Sequence, residues 1–135
     1  RFWITLEKGA EFVLESFARM HGGEIFVPKI PSVRITDLAR VMAPEIPQEV
    51  VGIRPGEKLH ETMCPEDDSH VTLEFSDHFL IKPAIKFYDR NLDYSTNRQG
   101  QKGMPVPQGF AYCSGTNPDF LDEAGIRDLN ARAGF

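Results

Sequence analysis

An α/β unit is the fold class this sequence predicts, and three observations predict it. Apolar residues recur at helical spacing in two separate stretches, each such stretch leads into a short apolar run bounded by Pro or Gly, and the resulting order is helix, strand, helix, strand. The chain has 135 residues, 41% hydrophobic and 26% charged. That balance suits one globular unit, since a domain of this size buries roughly two thirds of its unfolded-state surface and needs neither disulfide nor metal to build a core.

Residues 1–4 read as the end of a strand. Thr5 is placed to cap a helix whose apolar face is Leu6, Ala10, Val13, Leu14 and Phe17, and Gly22-Gly23 ends it. Residues 24–28 follow as a short, largely buried strand. Pro28 and Pro31 bracket the connection to a second helix starting at Ile35 and Thr36, with Leu38, Val41 and Met42 facing inward and Pro44 and Pro47 closing it. Residues 48–53, with Val50, Val51 and Ile53, read as a strand that meets a Pro-Gly turn at once. The stretch 58–63 fits a helical turn or an extended piece equally.

Further on, residues 70–75 and 78–81 flank Ser76-Asp77 as a strand pair. From 89 to 109 the composition shifts to Asn, Ser, Gln, Gly and Pro, which predicts a long exposed loop. Residues 110–113 are a brief apolar return, and Asn117-Pro118 marks the start of a closing helix with Phe120, Leu121 and Leu129 inward. The chain therefore divides into 1–88, an exposed loop at 89–109, and a C-terminal segment at 110–135 with a terminal helix.

A formal charge of −5 argues against a general nucleic-acid or anionic-membrane binder, so any cationic site is local. No apolar run is long enough to span a bilayer. Cys64 and Cys113 lie far apart and no signal peptide precedes them, which points to the cytoplasm. The chain opens without Met and inside a strand, so it is expected to begin partway through a larger protein.

The stretch with the most chemistry is Gly52-Ile53-Arg54-Pro55-Gly56-Glu57-Lys58-Leu59-His60-Glu61. It sets a fixed turn and two cations directly after an apolar run. The planar fork of Arg54 suits a phosphate bidentately, Lys58 adds a point charge, and Gly56 lets backbone approach a ligand. Glu57 and Glu61 beside them fit a solvated surface ion cluster just as well. Arg1, at a strand-to-helix passage, and the segment 112–117, ahead of a helix, are two further anion candidates. Against them stand a solvated chain end and plain helix capping.

His60, Cys64, His70 and Cys113 do not form two close ligand pairs, so no metal site is predicted. Glu66, Asp67 and Asp68 read as a solvated acidic turn. The chain has no Gly-x-Gly-x-x-Gly after a strand, no Walker loop, no Gly-x-Ser-x-Gly elbow and no Tyr-x-x-x-Lys pair.

The stretch 52–61, together with Gly23-Glu24-Ile25-Phe26-Val27-Pro28-Lys29-Ile30-Pro31, resembles the C-terminal part of the inverting UDP-N-acetylglucosamine 4,6-dehydratases. These are extended short-chain dehydrogenase/reductases of bacterial surface-sugar biosynthesis. The resemblance runs from Arg1-Phe2-Trp3-Ile4-Thr5 through Tyr112-Cys113-Ser114 and Asn117-Pro118-Asp119-Phe120-Leu121. It implies a small α/β substrate-binding subdomain, with the Rossmann domain absent from this chain and supplied by an N-terminal part.

Arg1 and Arg54 match the family positions that hold the UDP diphosphate, and the segment around Ser114 and Asn117 resembles one that closes over substrate. With Lys58 and Tyr112 these are the candidate substrate-binding residues; no catalytic residue is expected here. The resemblance further implies UDP-N-acetylglucosamine as ligand, NADP as cofactor of the full-length protein with none expected in this chain, and a homo-oligomer. The fragment of this lyase is not expected to be active alone. A related UDP-sugar epimerase, or a stand-alone nucleotide- or protein-binding module, is the alternative.

Overall fold

One hairpin carries the sheet in the computed structural model, which describes residues 1–85 and 92–134. Its strands, β3 (Thr72–Glu74) and β4 (His78–Ile81), run antiparallel with Thr72 opposite Ile81 and Glu74 opposite Phe79. The Phe75 N–H donates to the His78 carbonyl at 2.8 Å and closes the turn over Ser76-Asp77. The hairpin expected there is therefore present. β1 (Ile25–Pro28) adds antiparallel to the free side of β4, and β5 (Met104–Pro105) adds to β3, giving the order β1-β4-β3-β5. The remaining strands, β2 (Thr62–Cys64) and β6 (Tyr112–Cys113), form a second, two-stranded sheet. Among the described residues three α-helices complete the mixed α/β fold: α1 (Leu6–Arg19), α2 (Ile35–Met42) and α3 (Glu123–Arg132).

The chain folds as two compact units. The second comprises Lys8–Lys29 and Thr62–Tyr112. Every residue of β4 is buried there, so both of its faces are covered and the usual in-out alternation is lost. Leu80 packs with Leu73 and Phe75 in one cluster. Phe79, pointing the other way, meets the rings of Phe110 and Tyr112 at 5.0 and 4.9 Å.

Helix α1 forms where its periodicity predicts, but its expected inner face does not go inside. Leu6, Val13, Leu14 and Phe17 are exposed, and so is Ala10. The helix instead turns in the face bearing Phe12, Ser16 and buried Arg19, whose guanidinium Nη1 donates to Asp77 at 2.8 Å and Nη2 to Glu15 at 2.9 Å. Periodicity reports which face of a helix is apolar; whether a partner covers it is a separate matter.

A buried histidine sits at the end of that face. His78 is wholly enclosed, stacked on Phe75 at 4.6 Å and edged by Phe12 and Phe26. Its Nδ1–H donates to the Asp77 carboxylate at 2.8 Å, while Nε2 has no hydrogen-bond partner among the described residues. Burial, aided by the Arg19 and Lys29 charges, holds its pKa below the ordinary 6.5 even though Asp77 pulls the other way. The unfolded chain takes up a proton near that pH and the folded chain does not. Stability is therefore full above pH 6.5 and is lost as pH falls from there toward the lower folded value. The urea midpoint is expected to drop between about pH 7.5 and about pH 5.5, and His78→Phe is expected to reduce that drop. An equal drop in the variant would remove His78 as its source.

The stretch 92–109 is not uniformly exposed. Asn97, Gly103 and Val106 are buried, and the Val106 N–H donates to the Thr72 carbonyl at 3.3 Å. The Asn97 carboxamide oxygen accepts from the main chain of Gln99 and Gln101, each at 3.0 Å, so polar side chains do the folding work that apolar anchors usually do. Residues 89–91 of the expected loop, and the boundary at 88, lie outside the described residues.

The first unit comprises Arg1–Glu7, Ile30–Glu61 and Cys113–Phe135. Its core is Val33, Leu38 and Ile126, with Trp3, Val41 and Leu121 against them. Residues 31–33 form the spine: Trp3 N–H donates to the Pro31 carbonyl at 2.8 Å, and Ser32 exchanges bonds with Asp119 and Leu121 at 2.8 and 2.9 Å. Residues 1–4 thus contribute a single bridge, between Phe2 and Ser32, in place of a strand end.

Further expectations change in this unit, among them Phe120, expected inward and found exposed. Met42 on α2 points to solvent although Leu38 is buried. The strand expected at 48–53 is absent: Val50, Val51 and Ile53 are exposed, no ladder partner lies beside them, and Gly52 takes φ 86°. An isolated extended stretch has nothing to satisfy its backbone but water, so apolar composition alone does not make it a strand. The closing helix starts later than Asn117, because Asp122 is its cap and accepts from the Gly125 N–H at 2.8 Å.

Candidate functional site

The corner after residue 53 is a true Pro-Gly turn. The Arg54 carbonyl accepts from the Glu57 N–H at 3.1 Å, and Gly56 takes φ 78°, the left-handed value that the third position of a type II turn demands. Arg54 therefore projects from the first residue of a fixed turn. Its side chain is 85% exposed, and Nε and Nη2 reach the Glu57 carboxylate at 3.3 and 3.4 Å. Those bonds, together with the Arg54 main-chain N–H, keep the Glu57 carboxyl below its ordinary range. The charge of Arg1 adds a smaller part to the same lowering.

Arg1 is more firmly held. Its Nη1 donates to the Glu61 carboxylate and its Nη2 to the Lys58 carbonyl, with the side chain only 26% exposed. The main-chain nitrogen of Arg1 donates to the Val33 carbonyl at 2.8 Å, so the spine of the unit sets where the side chain begins. Lys58 itself is exposed and gives its carbonyl to this arrangement.

Glu61 is linked in turn to Ser114. Its N–H donates to Ser114 Oγ at 2.9 Å and its carbonyl accepts from the Ser114 N–H at 2.8 Å. Ser114 is fully buried. At Gly115 a Cβ would come within 2.7 Å of the His60 ring, so the ring lies directly on the glycine.

Of the six sequence-predicted residues, then, the structure joins Arg1 to Ser114 through Glu61, sets the Lys58 carbonyl directly on Arg1, and places Arg54 beside Glu57 in the same unit. Asn117 lies elsewhere in that unit: its Nδ2 donates to the Ile30 carbonyl at 2.9 Å and to Ser32 Oγ at 3.0 Å. It fastens the tail to the spine. Tyr112 belongs to the second unit, buried against Phe79.

From sequence, Glu57 and Glu61 stand only as rivals of the cations, His60 is weighed only as a metal ligand, and Gly115 is given no role of its own. The available signal was Gly115, since a glycine can mark close approach of another group to the backbone as well as a turn.

Elsewhere the chemistry is plain. Glu66, Asp67 and Asp68 open a 3-10 helix (Glu66–Val71). Cys64 is buried, and burial pushes its thiol up to about 11, so it is an inert core residue. Among the described residues no three His, Cys, Asp or Glu side chains converge as metal ligands, and no helix is long and apolar enough to cross a membrane.

A mixed α/β chain with antiparallel sheets, one arginine set on a Pro-Gly turn and a second held to the residues that follow it is the class of protein defined so far. The chain belongs to the polysaccharide biosynthesis protein family, whose profile matches residues 1–83. It is 52% identical, over its whole length, to the inverting UDP-N-acetylglucosamine 4,6-dehydratase of Campylobacter jejuni subsp. jejuni serotype O:2, and covers 41% of that protein. It is 35% identical over 78 residues to the capsular polysaccharide biosynthesis protein CapD of Staphylococcus aureus, covering 52% of this chain and 13% of that one. In three dimensions it resembles the X-ray structure of Pen from Bacillus thuringiensis, with a TM-score of 0.75 at 26% identity, over 99% of this chain and 39% of that one. The chain thus spans about two fifths of the length of the dehydratase it matches.

Proposed function

We propose that this chain is the nucleotide-sugar-holding, C-terminal part of an inverting UDP-N-acetylglucosamine 4,6-dehydratase, and that its corner at Arg1 and Arg54 grips the UDP diphosphate. The observation that carries the proposal is 52% identity over the entire chain to an enzyme of that name. The geometry is compatible with it, since Arg54 is largely exposed on a fixed turn and, among the described residues, its side chain makes long, exposed contacts to Glu57 that a phosphate outcompetes.

On this reading residues 1–88 and 110–135 belong to the small substrate-binding subdomain of an extended short-chain dehydrogenase/reductase. A Rossmann domain outside this chain carries NADP. The residues present do not fit a dinucleotide, because no glycine-rich strand-to-helix turn or Tyr-x-x-x-Lys pair occurs among them. The chain's own contribution is to bind and orient: in the first unit Arg1, Arg54 and Lys58 toward the diphosphate and Ser114 and Asn117 on the substrate side, with Tyr112 of the second unit a separate candidate. Fixing the nucleotide converts remote binding energy into alignment of the sugar for chemistry performed by the rest of the enzyme. The full-length protein is cytoplasmic and homo-oligomeric on the same reading.

In the full-length protein, Arg54→Ala is expected to weaken UDP-N-acetylglucosamine binding at least about tenfold by calorimetric titration. Arg54→Lys should recover only part, because it restores charge without the planar fork. Unchanged affinity in Arg54→Ala, with circular dichroism intact, would leave Arg54 as a mere partner of Glu57.

A further inference from the structure

We propose that Glu61 is the positioning residue of Arg1, and that Ser114 and Gly115 act on ligand binding through it. The inference rests on the diphosphate reading of the corner. Arg1 spends two guanidinium nitrogens on protein acceptors, the Glu61 carboxylate and the Lys58 carbonyl, which fixes the plane of its fork and leaves its remaining N–H donors for a ligand.

A long arginine side chain that is already ordered loses less freedom when a phosphate arrives, and preorganisation of this kind improves affinity without any new contact. The alternative is that Glu61 simply competes with the phosphates for Arg1. What favours positioning is how rigidly Glu61 is itself placed. Both main-chain polar groups of Glu61 bond to Ser114, at 2.9 and 2.8 Å, and Ser114 is fully buried. The preceding residue is clamped as well, since His60 lies so close to Gly115 that a Cβ would meet its ring at 2.7 Å. A competitor has to swing away when ligand binds; a carboxylate whose backbone is bonded twice to buried Ser114 is launched from a fixed point beside Arg1. Ser114 Oγ is engaged with the Glu61 N–H, so Ser114 reaches the ligand by setting Arg1 through Glu61.

The test is a double-mutant cycle in the full-length protein, titrated with UDP and with UDP-N-acetylglucosamine. Glu61→Ala is expected to weaken both ligands by about three- to tenfold, and Glu61→Gln by less, because its amide oxygen still accepts from Nη1. In the Arg1→Ala background, Glu61→Ala should add nothing, a result that general loss of folding would not give. Tighter binding in Glu61→Ala would make it a competitor and overturn the proposal. An undiminished Glu61→Ala effect in the Arg1→Ala background would overturn it too, by showing that Glu61 acts independently of Arg1. If Arg1→Ala leaves affinity unchanged while Arg54→Ala lowers it, Arg1 is outside the site and the positioning role falls with it. If neither arginine matters, the diphosphate reading itself fails.

Discussion

Replacing Phe75 by alanine is expected to destabilise the second unit by about 3–5 kcal/mol, the usual cost of deleting a buried phenyl ring. Phe75 is 2% exposed and belongs to the cluster with Leu73 and Leu80. Its ring also lies flat on His78, 4.6 Å between centroids and 7° between planes. Alanine would leave a cavity between a hairpin strand and a buried imidazole that already has an unpartnered nitrogen. Neither neighbour collapses easily into it, because His78 is held by Asp77 and Leu80 is fixed within a central strand. Urea denaturation followed by circular dichroism measures the loss. A change below about 1 kcal/mol would mean that the ring is not the keystone its burial suggests.

Gly103→Ala should approach the same site from the other side. A Cβ there would lie 2.4, 2.6 and 2.8 Å from three atoms of the Phe75 ring, inside any ordinary van der Waals contact. The ring cannot retreat, since its far face is against His78, and the Gly103 main chain is held by donation to the Ser95 carbonyl at 2.8 Å. Overpacking of this kind costs about 1–3 kcal/mol. Because the clash is with ring atoms beyond Cγ, the double variant Phe75→Leu, Gly103→Ala should lose less than the sum of its single changes. Strict additivity in the urea midpoints would show that the methyl group finds room without Phe75.

The mixed α/β character, α1, β1, α2 and the β3–β4 hairpin were all legible, because each is encoded locally by periodicity, by Gly and Pro, or by a short turn between apolar runs. What was not legible depends on partners distant in sequence. The apolar stripe of α1 is real, yet Leu14 and Phe17 lie in solvent and Arg19 is inside, a choice made by Asp77 fifty-eight residues away. Val50 and Val51 read as strand for want of any local sign that no neighbour would pair with them. Asn117 has the chemistry of a helix cap and uses it to hold Ile30 and Ser32, so the cap falls to Asp122.

The candidate site divides the same way. The Pro-Gly turn presenting Arg54 was written in ten consecutive residues. The link from Arg1 through Glu61 to Ser114 spans 60 and then 53 residues, and no window of sequence contains it.

The three-segment make-up of the first unit sets an order on its birth. Ser32 finds its hydrogen-bond partners at Asp119 and Leu121, and Val33 finds Ile126, in a stretch made only after Thr62–Tyr112 of the other unit. A chain growing from its N-terminus must carry residues 30–61 unfinished while Thr62–Tyr112 of the hairpin unit is synthesised between them and their partners. Such long-range closure slows folding, since the entropy of a large loop is spent before any contact repays it. The second unit, whose sheet is closed by residue 105, is free to fold during that wait. Stalled or prematurely terminated synthesis would accordingly yield a product with its sheet intact and its arginine corner unmade.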